Sequence, residues 1–337
     1  MAPLVSIIIP AYNTGRYLEP TIRSALDQTW PHIEVIVVDD GSTDGSLEVA
    51  RRFEGPRLHV IVQKNRGSCA ARNTGARAAR GDYVQFLDHD DLLAPDKIAN
   101  QLAYWRPGIS CRTLFMGEIV RFFDTVEGER REIPPGPFYQ PAFLCTYPEY
   151  KTIAAREWLL QWWNRRLEVT PLAWLISREL MQAAGPWEER FLSRLDDFEY
   201  LTRLLLAADD IVLTPACRAF FRTMVAGSMS SSAQNHSARA WQGQLFALNL
   251  CCDHLLAAEN TSRANAACAS LLIHYAYEAY PEHRFEANVA ATRARSLSLA
   301  LPPCPGGRIV RALSPLIGWR AAKWLQHRAR LWGYSRN

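Results

Sequence analysis

Residues 81–91 read Gly81-Asp82-Tyr83-Val84-Gln85-Phe86-Leu87-Asp88-His89-Asp90-Asp91, an apolar strand that runs directly into three carboxylates within four positions. Carboxylates this close repel one another and raise each other's pKa values unless a positive charge lies among them. A hard divalent cation that keeps open positions for phosphate oxygens is a natural counter-charge. The alternative is a solvated Asp-rich turn before the next helix, since Asp is common in turns.

Three further apolar stretches precede this one and share its character. All four are short, β-branched runs of the kind that is buried on both faces of a parallel sheet. Helical patterns lie between them, so the order β-α-β-α-β-α-β predicts a Rossmann-like α/β half-domain. Ligands of such sheets bind outside the carboxyl ends of the strands. The four runs are Val5–Tyr12, Ile33–Asp40, Leu58–Lys64 and Tyr83–Asp88. The polar segments at their ends are Pro10–Asn13, Asp39–Ser42, Asn65–Gly67 and Asp88–Asp90.

Two common phosphate-binding motifs do not occur in the sequence. No GxGxxG follows the first strand, which disfavours a dinucleotide oxidoreductase, and no GxxxxGK[ST] occurs, which disfavours a phosphate-loop nucleotidase. The eight cysteines show neither CxxC pairs nor His spacing, so we expect reduced thiols. The N-terminus lacks a signal-peptide pattern, and no run of about 18 apolar residues occurs. These features predict a cytoplasmic protein, either soluble or peripheral on the inner face of the membrane.

The segment 303–337 is basic and contains no acid, in a chain whose formal net charge is +4. From Trp319 to Trp332, a helical projection separates an apolar side that includes tryptophan from a side with most of the basic residues. Such helices lie in the interface of anionic bilayers, but they also pack their apolar side on a protein core. Both interpretations stay open. No nucleic-acid partner is predicted, because the basic residues are confined to one terminal segment. These residues are Arg308, Arg311, Arg320, Lys323, Arg328, Arg330 and Arg336.

The remainder of the chain predicts a hairpin and then mostly helices. Leu114–Asp124 and Arg130–Ile133 indicate the hairpin, and the Pro-rich segment 134–150 indicates a mobile flap. Residues 195–204 indicate a helix with acids in its first turn, where the helix dipole favours them. Residues beyond Ser237 read as helices only. The predicted parts of the chain are 1–230, 231–300 and the tail 303–337.

Several segments of the first hundred residues stand in an order and spacing that is more specific than any one motif alone. They are Ser6–Asn13, Val37–Asp44, Asn65–Gly67 with Ala71–Gly75, and Phe86–Asp91. A weaker match follows at Gly185–Glu189 with Asp196-Asp197. Together these segments resemble the inverting family 2 glycosyltransferases over about residues 4–225. The resemblance implies the GT-A fold, with a mixed, mostly parallel sheet and a nucleotide-sugar donor, here followed by a helical C-terminal region.

The resemblance also implies roles for residues at the strand ends. The turn Pro10-Ala11-Tyr12 and Asp40 would hold the nucleobase, with Asp39 beside them. Arg72 would lie near the nucleotide, and Asp88 would contact the ribose. These residues form the predicted donor site.

For the chemistry, the resemblance implies a metal ligand and a base. Asp90 would bind a divalent cation, Mn²⁺ or Mg²⁺, which neutralises the charge of the departing nucleoside diphosphate. Asp197 aligns with the catalytic base of the family, which takes the proton of the acceptor hydroxyl. Asp196 stands where family members commonly carry Glu. Acids are also typical of a helix start, so a purely structural role for Asp196 and Asp197 is the alternative.

One departure from the family pattern affects the metal. The chain reads Phe221-Arg222-Thr223-Met224 where the family often has Tyr-Arg-x-His, with its His closing over the metal. A thioether is a poor ligand for a hard cation. Three interpretations stay open: the metal rests on Asp90, the diphosphate and water; or His236 replaces the missing ligand; or the enzyme is weak.

The leading prediction is therefore an enzyme that moves a sugar, with inversion, from a nucleotide-diphosphate-sugar to an acceptor. The predicted donor is a UDP-sugar, and the predicted acceptor is a glycan or a lipid-linked molecule of surface polysaccharide or glycolipid biosynthesis. The alternative is a non-catalytic relative that binds a nucleotide-sugar or glycan and acts as a membrane assembly partner, with Met224 as its one support. Asp90 and Asp197 favour the enzyme. A nucleotidyltransferase is disfavoured, because no Gly-rich basic loop follows the first strand.

Overall fold

A computed structural model describes residues 2–125, 129–134, 151–165, 170–190, 195–223, 237–298 and 308–331. The chain divides into two compact units. The N-terminal unit comprises Met1–Leu192 and Asp196–Ser231, and the C-terminal unit comprises Ser193–Leu195 and Ser232–Asn337. The basic tail predicted for 303–337 thus belongs to the C-terminal unit. The predicted flap at 134–150 lies almost wholly outside the described residues, as do Met224 and His236.

The N-terminal unit is built on one mixed sheet, which has ten strands among the described residues. The strands are β1 Val5–Ala11, β2 Ile33–Asp39, β3 Leu58–Val62, β4 Tyr83–Phe86, β5 Leu92–Leu93, β6 Leu114–Asp124, β7 Arg130–Glu132, β8 Lys151–Ala154, β9 Trp174–Ser177 and β10 Asp210–Arg222. Their order across the sheet is β3-β2-β1-β4-β9-β6-β10-β5, with β7 paired to β6 and β8 to β10. The first four strands are parallel, whereas β9 runs antiparallel between β4 and β6.

Helices flank this sheet and also form the C-terminal unit. Those of the N-terminal unit are α1 Leu18–Leu26, α2 Ser46–Arg51, α3 Ser68–Ala78, α4 Lys97–Ala103, α5 Ala155–Arg165, α6 Arg178–Ala184 and α7 Asp196–Ala207. Those of the C-terminal unit are α8 Ala238–Ala258, α9 Ser262–Ala279, α10 Arg284–Leu297, α11 Arg308–Ile317 and α12 Trp319–Leu331. Together with the sheet, these helices confirm the predicted fold class, an α/β domain with a mixed sheet and a helical C-terminal region.

The parallel part of the sheet is the part that the sequence predicted most closely. All seven residues of β1 and of β2 are buried, as expected for strands covered on both faces. Their register pairs Ala11 with Asp39, and Asp39 with Val62 of β3, so the three strands end at the same level. The loops that follow them therefore meet at one rim. The predicted hairpin is also confirmed, since β6 pairs antiparallel with β7.

Helix α3 packs unusually close to the sheet. A Cβ atom on Gly75 would lie 2.4 Å from Cγ2 of Ile8 in β1, so only glycine fits at this position without a shift of the strand. The small residues Ala70 and Ala71 on the same helix are fully buried. This close approach places the N-terminal half of α3, including Arg72, beside the rim.

Strands β9 and β10 were not predicted. The structure splits the segment around 172–180 into a short 3-10 helix, strand β9 and the start of α6. Strand β10 contains Pro215 and a positive φ of 64° at Ala216, and its pairing with β6 shifts register between Leu213 and Arg218. This irregularity obscures the alternation by which a strand is recognised in sequence.

The C-terminal unit is all helical in its described part, as predicted for residues beyond Ser237. Its core contains small and sulfur-bearing side chains, such as Cys252 and Cys268, that let the helices approach closely. Tyr275 of α9 donates a hydrogen bond of 2.6 Å to the carbonyl of Trp241 in α8. Over the ranges that the structure describes, no helix combines the length and hydropathy needed to cross a membrane.

Candidate functional site

Hydrogen bonds join the loop after β1 to the loop after β2. Oδ1 of Asn13 accepts a hydrogen bond of 2.8 Å from the amide of Thr43, and the Asn13 amide donates to Oγ of Ser42 at 3.1 Å. Asn13 adopts a positive φ of 48°, which Asn tolerates better than most residues. Oδ2 of Asp44 accepts from the amide of Gly15 at 2.9 Å. These contacts fix the rim where Pro10, Ala11 and Tyr12 lie, and Tyr12 is 47% exposed there.

Asp39 and Asp40 are both buried at this rim, but their carboxylates have different partners. Both oxygens of Asp40 are used by the loop after β3. Oδ1 accepts from Nε2 of Gln63 at 2.7 Å and from the amide of Arg66 at 2.9 Å. Oδ2 accepts from the amide of Gly67 at 2.8 Å. Asp40 therefore holds the loop that leads into α3.

Asp39 uses only one of its carboxylate oxygens. Oδ2 accepts from the amides of Gly41 and Ser42 at 3.2 and 3.1 Å. Oδ1 is buried and has no hydrogen-bond partner. A buried acceptor without a partner is unfavourable by about 1–3 kcal/mol, so this atom is a candidate to receive a donor from a ligand.

Arg72 joins two acidic segments that lie far apart in the sequence. Its guanidinium donates from Nη2 to Oδ1 of Asp88 at 2.7 Å and from Nη1 to Oδ2 of Asp196 at 3.1 Å. The group is 6% exposed. Burial alone would lower the pKa of Arg72, but the two carboxylates outweigh it and raise the pKa above its ordinary value. In return, Arg72 overcomes the effect of burial on Asp88 and lowers the pKa of that carboxyl.

The neighbouring Asn73 positions the segment that begins at Gly185. Its Oδ1 accepts from the amide of Trp187 at 2.8 Å, and its Nδ2 donates to the carbonyl of Trp187 at 2.9 Å. The Trp187 ring packs against the Arg72 guanidinium at 4.6 Å and stacks on Tyr200 with ring centroids 4.0 Å apart. The Arg72-Asn73 pair thereby connects α3, the 185–189 segment and α7.

The two acids at the start of α7 are not equivalent. Asp196 is buried, and its Oδ2 accepts from Oγ of Ser68, Sγ of Cys69 and Nη1 of Arg72. Asp197 is half-buried, and its Oδ1 accepts only from the amide of Phe198, at 2.7 Å, within the part of the chain that the structure describes. Burial raises the pKa of Asp197 to about 8, and the charge of Asp196 contributes to the increase. Asp197 is thus a carboxyl without an ion-pair partner among the described residues.

The acidic turn after β4 is held by Arg222, at the end of β10. The Arg222 amide donates to Oδ1 of Asp91 at 2.7 Å, and its Nε donates to the carbonyl of Asp90 at 2.6 Å. Its Nη1 forms an ion pair with Asp124. Oγ1 of Thr21 donates to the carbonyl of Asp91 at 2.8 Å. The backbone of the turn is therefore fixed from two sides.

The carboxylate of Asp90 accepts no hydrogen bond from another described residue. Burial raises its pKa, and the charge of Asp88 adds to the increase while His89 opposes it. An anionic oxygen ligand whose charge is not neutralised fits a hard cation. Over the described ranges, no group of three or more His, Cys, Asp and Glu side chains is arranged to hold a metal. Asp90 thus offers a single oxygen ligand to such a cation.

The structure brings together most of the residues that the sequence singled out. Asp88 and Asp196 meet at Arg72, and Asp39 and Asp40 lie side by side at the ends of the parallel strands. Sequence reasoning missed Asn73 and Arg222 as positioning residues. In the segment Phe221-Arg222-Thr223-Met224 only Met224 drew attention, and no pattern in the sequence indicates the contacts that Arg222 makes.

Comparisons with known proteins agree with this architecture. Residues 6–153 match the model of the family described as Glycosyl transferase family 2. TuaG of Bacillus subtilis (strain 168) is 44% identical over 118 residues, which cover 34% of this chain and 46% of TuaG. The chondroitin synthase of Escherichia coli is 43% identical over 115 residues, which cover 34% of this chain and 17% of that protein. The matches thus span less than half the length of these curated relatives.

Among solved structures, Staphylococcus aureus TarS 1–349 in complex with UDP-GlcNAc superposes with a TM-score of 0.70. The alignment covers 99% of this chain and 93% of that one, at 17% sequence identity. The shared architecture defines the class as the GT-A fold. Residues 6–153 thus resemble family 2 of the glycosyltransferases, and the solved structure shows that the chain has the same fold.

Proposed function

We propose that this protein transfers a sugar, with inversion at the anomeric carbon, from a nucleoside-diphosphate-sugar to a hydroxyl of a glycan or lipid-linked acceptor. The observation that carries the proposal is the Arg72 cluster. In this cluster, Arg72 bonds to Asp88, which follows β4 at the strand-end rim, and to Asp196. Asp196 precedes Asp197, whose carboxyl has no ion-pair partner among the described residues. A donor-binding rim and a candidate base are thereby linked through one buried cation.

The rim supports a pyrimidine nucleotide as the donor, and we propose a UDP-sugar. Uracil presents an N–H donor between two carbonyls, and Oδ1 of Asp39 is a buried acceptor without a partner. Tyr12 offers an exposed ring against which a base can stack. Asp40 acts in this proposal through the loop that it holds, and Asp88 receives the ribose hydroxyls. The structural neighbour TarS was solved with UDP and with UDP-GlcNAc, which supports this choice.

Asp197 is the best candidate for the base among the described acids that begin α7. Asp196 is already used by Arg72 and two further donors. Glu199 forms an ion pair with Arg203 at 2.6 Å. In the proposed reaction, Asp197 takes the proton of the acceptor hydroxyl as its oxygen forms a bond to the anomeric carbon. The bond from that carbon to the diphosphate breaks on the opposite side, and its electron pair leaves with the nucleoside diphosphate.

Asp90 would hold a divalent cation in this site. When bound, Mn²⁺ or Mg²⁺ would neutralise the negative charge that develops on the departing diphosphate. The chain's own contribution is to fix the Asp90 backbone through Arg222 and to leave the Asp90 carboxylate available. Arg72 lowers the pKa of Asp88, two residues before Asp90, and thereby favours the ionised form of that carboxyl.

The proposed acceptor is a growing surface polysaccharide or glycolipid. The chondroitin synthase relative is named for a polysaccharide, which supports a glycan acceptor.

The test is a transfer assay with purified protein, UDP-sugars, Mg²⁺ or Mn²⁺ and oligosaccharide acceptors. We expect a glycoside of inverted configuration by NMR. The Asp197→Asn variant should retain UDP affinity and lose transfer by about a hundredfold or more. The exposed Asp27→Asn variant is the matched control and should behave like the unsubstituted protein. UDP binding without any turnover would instead identify a non-catalytic binding protein.

A further inference from the structure

The two terminal helices of the C-terminal unit pack on α9. Val310 of α11 and Ala322 of α12 are buried against Tyr277 of α9. The Tyr277 hydroxyl donates to Oε1 of Gln326 at 3.0 Å, and Nζ of Lys323 lies 4.0 Å from the centroid of its ring. These contacts answer part of the question left by the sequence, because they show a packed side of the tail within its own unit.

Four large apolar residues of the same helices are exposed. Leu316 is 80% exposed, Ile317 46%, Trp324 38% and Leu325 46%. A helix that served only to cover a core would bury such residues. Exposed apolar patches of this kind mark interaction sites, whereas single exposed apolar residues need no explanation.

Helix α10 adds two further exposed apolar residues beside them. Nη2 of Arg320 in α12 donates to Oδ1 of Asn288 in α10 at 2.9 Å, so the two helices lie side by side at this level. Phe285 and Val289 flank Asn288 on α10 and are 74% and 40% exposed. We call the combined set the apolar surface; its members are Phe285, Val289, Leu316, Ile317, Trp324 and Leu325.

The segment that carries the apolar surface is mostly basic. Residues 284–331 contain nine Arg and Lys and a single acid, Glu286. That acid is buried and accepts a hydrogen bond from Gln242, so it does not offset the exposed cations. Arg311 and Arg328 are exposed on the two terminal helices. Two exposed acids from outside this segment contact it: Asp253 of α8 forms an ion pair with Arg293 at 2.5 Å, and Glu282 faces His327 at 4.0 Å. The remaining cations of the segment outnumber them.

We propose that the apolar surface docks on an anionic lipid bilayer. Tryptophan and leucine at the centre insert into the boundary between headgroups and acyl chains, while arginines contact anionic headgroups. A second copy of the chain is a poorer occupant, because it would bring one basic region against another. Nucleic acid is also a poorer occupant, because it offers no apolar phase for Leu316 and Trp324. The proposal concerns the C-terminal unit and does not depend on the proposed transferase activity.

The experiment uses the full chain and vesicles of phosphatidylcholine, with or without about one third phosphatidylglycerol, in a flotation assay. We expect binding to the anionic vesicles at low salt, at least tenfold weaker binding at high salt, and little binding to pure phosphatidylcholine. The Arg311→Ser/Arg328→Ser variant should bind about thirtyfold more weakly, since each basic residue near an anionic surface contributes about fivefold.

The apolar contribution is tested separately with Leu316→Ser/Trp324→Ser, which should weaken vesicle binding by about tenfold or more. The matched controls are Trp105→Ser and Arg52→Ser, which alter exposed residues of the N-terminal unit and should leave binding unchanged. UDP affinity and the melting temperature of each variant, measured in parallel, report whether it is folded. The substituted residues are exposed, so both quantities should be preserved.

Three results would overturn the proposal. The first is a full-length protein that ignores anionic vesicles at low salt. The second is a self-association, seen by sedimentation velocity, that disappears in Leu316→Ser/Trp324→Ser while vesicle binding persists, which would assign the surface to a second copy. The third is tight binding of an oligonucleotide that competes with vesicles but is insensitive to the apolar substitutions. Failure of the unsubstituted protein to bind UDP would count against the proposed function alone, because the vesicle assay is independent of it.

Discussion

The pKa of Asp197 provides the sharpest test of the site. Burial and the neighbouring Asp196 raise this pKa from an ordinary value of 3.8 to about 8. A base with that pKa is ionised in only about a tenth of the molecules at pH 7. The free-enzyme kcat/KM should therefore rise about tenfold from pH 6 to pH 7 and level off above about pH 8–9.

The assay is a pH profile of kcat/KM at saturating Mg²⁺, which remains soluble up to pH 9. Asp196→Asn is the informative variant, because it keeps the shape of the side chain and removes a charge that raises the pKa of Asp197. Its profile should reach the plateau at lower pH. A profile that is flat between pH 6 and pH 9, or one that Asp196→Asn does not displace, would refute the assignment of Asp197 as the base.

The same shift has a consequence for stability with a defined sign. The folded protein holds the Asp197 proton more tightly than the unfolded chain, so this carboxyl favours folding less and less as pH rises from about 4 to about 8. At pH 8 the folded protein therefore bears the unfavourable burial of this carboxylate, which the neutral amide of Asn does not bear. Asp197→Asn should thus melt a few degrees higher than the unsubstituted protein at pH 8, by calorimetry. An equal or lower melting temperature at that pH would contradict the burial argument.

Three further predictions concern the surroundings of the site. Asp90→Asn should raise the Mn²⁺ concentration needed for half-maximal UDP binding by about tenfold or more, with little change in melting temperature. If calorimetric titration shows an unaltered metal dependence, Asp90 is not the metal ligand. Arg72→Lys should reduce transfer by about a hundredfold, because one ammonium cannot reproduce the two directed contacts to Asp88 and Asp196; near-normal rates would show that the cluster is not required. Gly75→Ala should destabilise the fold by about 1–3 kcal/mol in urea denaturation, since its Cβ would lie 2.4 Å from Ile8, and an unchanged midpoint would mean that the strand moves freely.

The sequence located the rim but not the partners of its side chains. Strands β1 to β4 were predicted to within one or two residues, because buried apolar runs and polar strand ends are local signals. Contacts between residues that are distant in the sequence decide which carboxylates already have hydrogen-bond or ion-pair partners. Arg72 forms a hydrogen bond with Asp196, which lies 124 positions further along the chain. Asp40 accepts hydrogen bonds from backbone amides 26 and 27 positions away. No pattern along the chain separates Asp196 from Asp197, or Asp39 from Asp40.

The same limit explains the strands that were missed. Strand β9 has four residues and β10 is interrupted by an irregular pairing, so neither shows a clear alternation. Their place in the sheet is set by partners on β4 and β6. The interpretation in which His236 replaces the metal ligand that is missing at Met224 concerns residues outside the described ranges and stays open.

The position of β9 between β4 and β6 has a consequence for how the chain acquires its structure during synthesis. When residue 153 has left the ribosome, nearly all the recognisable donor motifs are present, yet β6 still lacks the strand that joins it to β4. The guanidinium of Arg72 also still lacks Asp196. A nascent chain of that length should therefore show protease sensitivity at β6 and little UDP binding, and both should change only after β10, which ends at Arg222, has emerged. The motifs that make the family recognisable therefore lack the strands that complete their sheet.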